Sequence, residues 1–110
     1  MTSTIIIDDK EIAMMATALT KYRYRSVFGK ELNATITAAK KEGLLYIAEE
    51  LGYIMAKEAA GEGKTASLED FEDWLSGFET FSFVRAANDI IGLYSESAQT
   101  TSKPKKKADQ

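Results

Sequence analysis

Residues 44–60, LLYIAEELGYIMAKEAA, carry apolar side chains at Leu44, Ile47, Ala48, Leu51, Ile54 and Met55. Steps of three and four residues return to one face of an α-helix, so this segment predicts the strongest amphipathic helix of the chain. Glu49, Glu50, Lys57 and Glu58 lie off the stripe. Gly52 weakens the helix by roughly 1 kcal/mol relative to alanine and allows close packing at that point.

The same period recurs twice. Ser67 reads as an N-cap with Glu69 and Asp70 in the first turn, followed by Leu68, Phe71, Trp74, Leu75 and Phe78 on one face and Gly77 near the end. This spacing predicts a largely buried Trp74. Residues 81–97 predict a last helix with Phe83, Val84, Ala87, Ile90, Ile91 and Tyr94 on one side, capped by Ser82 or Thr80. Residues 20–28 read as a shorter helix, with Thr20 as N-cap, Tyr22, Val27 and Phe28 as apolar positions and Gly29 as its stop. Residues 31–41 read as another, weakened by threonine and asparagine and broken by Gly43. Residues 4–16 differ. TIII is β-branched, Asp8–Lys10 supply a turn and EIAMMA follows, which together predict a β-hairpin. GEGKTAS, residues 61–67, reads as a flexible loop. The expected fold is therefore mainly α: a small domain of four to five helices over residues 1–98 with a short N-terminal β-hairpin. From Gln99 onward no apolar residue is larger than alanine, which predicts a disordered, lysine-rich tail over 99–110.

The chain contains neither histidine nor cysteine. That removes disulfides, Cys- or His-ligated zinc, thiol nucleophiles and the usual general base together, so neither an enzyme nor a metal protein is expected and no cofactor is assigned. No apolar run approaches the ~18–20 residues that cross a bilayer. The start, MTSTIIIDDKE, has no basic residue before its short apolar stretch and does not read as a signal peptide.

Charge is unevenly distributed. Net charge is -3, but Lys103, Lys105, Lys106 and Lys107 against Asp109 put +3 in the tail, leaving -6 on residues 1–98. Residues 21–30 hold Lys21, Arg23, Arg25 and Lys30 with no acid, while residues 58–79 hold seven acids against Lys64 alone. A polyanion needs a continuous basic surface, so nucleic acid is a poor partner for the body.

Several motifs invite chemistry and fail on context. GEGKT lacks the first glycine of a phosphate loop, since Glu58 stands in its place, and a helix precedes it. Glu69/Asp70 and Glu72/Asp73 pair carboxylates, but consecutive acids opposite an apolar face read as a solvated surface. Asp8 and Asp9 are explained by the turn. TKYRYR interleaves aromatics with cations, yet helical spacing sends them to several faces. The aromatic row FEDWLSGFETFSF reads mainly as core. A small core has limited room, so Phe78, Phe81, Phe83 and Tyr94 stand as candidate partner contacts, with the lysines of the tail as a separate basic candidate.

Four segments, IIIDDKEIAMMATALT, YRYRSVFGKEL, LGYIMAKEA and LEDFEDWLSGFETF followed by a helix and TTSKPKKK, carry a combined likeness over residues 4–107. In their order the chain resembles the tail assembly chaperones of long-tailed, siphovirus-type bacteriophages and prophages of Gram-positive bacteria. It departs from them at Asp9, where that family often has glycine. The resemblance implies a protein of the host bacterial cytoplasm that is absent from the finished virion. It would bind the tape measure protein and keep it soluble until tail tube protein polymerises around it. It also implies the shorter product of a ribosomal frameshift, and Lys105–Lys107, with A-rich codons, mark a site for the slip. Self-association is a further expectation. Two other readings stay open on the residues alone. One is a small helical regulator binding nucleic acid through residues 21–30 and the lysine tail. The other is an inhibitor of a host protein acting by surface mimicry.

Overall fold

The computed structural model describes residues 2–102, with side chains as far as residue 97. Five α-helices follow an antiparallel hairpin: β1 (Thr2–Ile7), β2 (Lys10–Met15), α1 (Thr20–Phe28), α2 (Leu32–Glu42), α3 (Leu45–Ala59), α4 (Leu68–Leu75) and α5 (Ala87–Ser102). The mainly helical architecture with an N-terminal hairpin is the one the sequence predicts.

The hairpin turns on Asp8 and Asp9 alone, with Ile7 opposite Lys10 and Thr2 opposite Met15. Both aspartates have positive φ, 54° and 64°. A two-residue turn of this kind matches the right-handed twist of the strands, and aspartate tolerates the left-handed region better than most residues. Alternation then sends Ile5, Ile7 and Met14 into the core and leaves Ile6 62% exposed on the outer face.

α3 is the centre of the molecule. The hairpin, α1, α2, α4 and α5 all pack on it. Ile47, Ala48, Leu51, Tyr53, Ile54 and Met55 are buried, an arc wider than one stripe. Gly52 permits this crowding: a Cβ there would lie 3.3 Å from both Ile90 and Met14 and 3.4 Å from Phe83. The predicted role of Gly52 in close packing holds.

The charged residues of α3 do more than face solvent. Glu58, with its side chain 8% exposed, accepts from Arg23 Nε at 2.8 Å and from the Thr17 hydroxyl at 3.1 Å. Glu50 accepts from the Tyr24 hydroxyl at 2.6 Å and from Lys30 at 3.3 Å. Lys57 bridges Glu62 and Asp70, each at 3.0 Å. These pairs tie α1 and α4 to α3 at fixed heights along its axis.

Several boundaries are corrected. Thr20 is not an N-cap: it is fully buried inside α1 and accepts from the Thr17 N–H at 2.8 Å, while Thr17 Oγ1 accepts from the Leu19 N–H. The residue before the helix is Leu19, which makes no side-chain capping bond, so these two threonine bonds shape the turn that leads into α1. Residues 61–67 are not merely a flexible loop. They contain a 3-10 turn, Gly63–Thr65, and Gly63 is buried so close to Glu58 and Arg23 that a Cβ there would collide with both. Ser67 does cap α4, accepting from the Asp70 N–H at 3.1 Å, but the helix stops at Leu75. No residue of α4 is fully buried, and Trp74 is half-buried rather than enclosed. The last helix begins at Ala87, not residue 81, because residues 80–86 form consecutive turns. It continues through Ser102, where the expected helix ends at residue 97. Lys103, Lys105, Lys106 and Lys107, and the rest of the predicted tail, lie outside the described residues.

Candidate functional site

The turn segment between α4 and α5 is held from both sides. The hairpin reaches it through Lys10, whose ammonium donates to the Gly77 carbonyl at 3.2 Å and sits 4.9 Å from the Phe78 ring centroid. Ser82 donates its hydroxyl to the Asp8 carboxylate of the hairpin turn. From inside, Phe83 packs its ring 5.1 Å from Phe78 and 5.6 Å from Trp74, with Trp74 in turn 5.6 Å from Tyr53. The Phe78–Phe83 pair is edge-to-face and the other two are tilted, and inclined rings at such distances attract beyond their buried area.

This anchoring turns neighbouring residues outward. The Val84 N–H donates to the Phe81 carbonyl at 3.2 Å, which places Phe81 and Val84 at the two ends of one turn. Phe81 is 68% exposed and Val84 56% exposed. Beside them run two joined open depressions. One is lined by Asp8, Glu79, Thr80, Phe81 and Ser82, and the other includes Leu75, Phe78, Glu49 and Glu72, with Glu79 and Thr80 shared. An apolar floor of Leu75, Phe78 and Phe81 is therefore rimmed by Asp8, Glu49, Glu72 and Glu79. Burial, with the neighbouring Glu50 charge adding to it, pushes the Glu49 carboxyl above its ordinary pKa.

The four aromatic candidates separate. Phe81 is exposed and Phe78 half-buried, and both belong to this surface. Phe83 is fully buried and is core, which removes it as a partner contact. Tyr94 is half-buried and donates its hydroxyl to Asn33 Oδ1 at 3.1 Å, tying α5 to α2 away from the Phe78–Phe83 cluster. Val84, which helical spacing put on the inner side, is the residue that sequence reasoning missed. No local pattern separates it from Phe83, which lies beside it in sequence.

The basic segment is half neutralised. Of its four cations, Arg23 and Lys30 are paired with carboxylates on α3. Among the predicted solvated acids, Asp70 instead accepts from the Tyr53 hydroxyl at 2.6 Å as well as from Lys57, and these bonds hold its carboxyl below the ordinary range. No cluster of acidic residues suited to a metal ion occurs among the described residues. Within the same range no helix is long and apolar enough to cross a membrane.

No family model matches this chain, and neither a curated protein nor a solved structure matches it.

Proposed function

We propose that the protein is a tail assembly chaperone of a long-tailed bacteriophage or prophage, which covers apolar stripes of the tape measure protein until tail tube protein replaces it. The likeness over residues 4–107 supplies the family. The observation that carries the reading is exposed Phe81 on an apolar floor with an acidic rim, with exposed Val84 at the other end of the same turn. Such a surface suits an amphipathic helix whose apolar stripe is flanked by lysine or arginine. It is open rather than enclosed, as a segment that binds and leaves requires. The net charge of -6 on residues 1–98 would keep such a complex in solution. Pairing of Arg23 and Lys30 with α3 weighs against the nucleic-acid alternative, since it shrinks the free basic surface.

Co-expression tests the reading. Tape measure protein made alone should aggregate, and with this chain it should stay soluble by mass action. The double substitution Phe81→Ser, Val84→Ser removes contacts worth about 1–2 kcal/mol each on burial, so binding should weaken roughly tenfold or more. Its circular dichroism and unfolding midpoint should match the parent, because both side chains are on the surface. Equal insolubility of the tape measure protein with and without the chain would sink the proposal.

The proposal includes that this chain is the shorter of two frameshift products. Recoding Lys105–Lys107 with AAG in place of AAA leaves the protein unchanged. Immunoblots should then lose the longer product, whereas an unaltered product ratio would remove the frameshift from the reading.

A further inference from the structure

Among the described residues β1 has a strand partner on one side only. The two-residue turn makes Ile7 and Lys10 a hydrogen-bonded pair, and such pairs alternate along an antiparallel ladder. Ile5 and Ser3 therefore bond to β2, while the N–H and C=O groups of Thr2, Thr4 and Ile6 point away from it. α5 packs beside β1, but no backbone hydrogen bond from another element reaches these groups among the described residues.

Edge strands of monomers are commonly protected by a charge, a proline, a bulge or a covering segment. β1 reads TSTIII: its six residues hold no charge and no proline, and the pairing with β2 runs through without a bulge. The other edge of the hairpin is different, because Glu11 stands exposed on β2.

We propose that β1 pairs antiparallel with β1 of a second copy, about a two-fold axis at Thr4, to make one sheet continuous across a dimer. The register follows from the free groups. Setting Thr4 opposite Thr4 of the second copy sets Thr2 opposite Ile6 and Ile6 opposite Thr2, so every outward N–H faces an outward C=O. The same residues point to the outer face, where β-branched side chains meet across the axis, among them the exposed Ile6. A second copy suits this edge for an electrostatic reason also. Two bodies that are each net negative repel, and β1 is a stretch along which they meet with no charge to oppose or desolvate. The inference rests on the edge geometry and not on the chaperone reading.

Sedimentation equilibrium of the full chain over about 1–500 µM tests it. The weight-average mass should rise from 12.1 kDa toward twice that value. Thr4→Pro removes an N–H that faces only the second copy, and leaves the ladder with β2 intact. Thr4→Lys sets two ammonium groups opposite each other. Each should raise the concentration of half-association at least about tenfold. An equimolar mixture of Thr4→Lys and Thr4→Glu should recover the dimer as a mixed species. A constant mass of 12.1 kDa across the range, or a dimer indifferent to both Thr4→Pro and Thr4→Lys, would overturn the proposal.

Discussion

Replacing Phe83 with alanine should lower stability by about 3–5 kcal/mol, a large part of the ~5–15 kcal/mol that holds a typical domain together. The side chain is fully buried, and its ring touches Trp74 and Phe78 while closing against the backbone of Gly52. Its removal leaves a cavity that the surrounding elements cannot collapse into, because α3 is held at that height by both the hairpin and α5. The turn segment 80–86 also loses its inward anchor, so the surface presented by Phe81 and Val84 should lose its shape. Urea unfolding should show a lower midpoint with an unchanged slope. Trp74→Ala should cost less, since Trp74 is half-buried. A midpoint unaltered in Phe83→Ala, with loss of partner binding alone, would return Phe83 to the contact surface.

The protein should also unfold readily in alkali. Two fully buried tyrosines donate their hydroxyls to carboxylates, Tyr24 to Glu50 and Tyr53 to Asp70. Burial first, and then the hydrogen-bonded carboxylate, pushes Tyr53 up to about 12 and Tyr24 well above the phenol range. In the unfolded chain both phenols ionise near the ordinary tyrosine value of 10.0. The folded state therefore keeps protons that the unfolded state releases. The stability these groups confer is fully present below pH ~10 and is lost as pH rises through the folded values. For Tyr53 this amounts to at most about 2–3 kcal/mol. Lys57 acts in the same direction, its pKa raised chiefly by the hydrogen bond to Asp70. Denaturant midpoints at about pH 8, 10 and 11 should fall in that order. The double variant Tyr24→Phe, Tyr53→Phe should be weaker at neutral pH, having lost both bonds, yet should show a much shallower alkaline decline. A midpoint constant from pH 8 to 11 would contradict the buried phenol–carboxylate pairs.

Local signals placed most of the elements. The two-residue turn at Asp8 and Asp9, the Ser67 cap and the stripe of residues 44–60 each express a preference that acts within a few residues. These preferences hold in the folded chain because nothing distant opposes them. The candidate surface was only half legible for the same reason. Phe78 and Phe81 were named from the density of aromatics, but periodicity gave Phe83 and Val84 the same side of one helix.

The mainly helical class, the hairpin and the absence of thiol and imidazole chemistry are properties of the sequence by itself, since each follows from residue type and spacing. The tertiary structure alone decided the rest. Phe83 turns inward and Val84 outward because Gly52, remote in sequence, leaves beside Trp74 and Phe78 a space that one ring fills. Helical period therefore stops at the turns of residues 80–86, and α5 starts at Ala87. Gly63 is buried because Glu58 and Arg23 meet beneath it, a pairing of residues 35 apart that no local pattern encodes. Spacing specifies which face of an element is apolar, but contacts between distant elements select which of two adjacent apolar residues is enclosed and which stays in water.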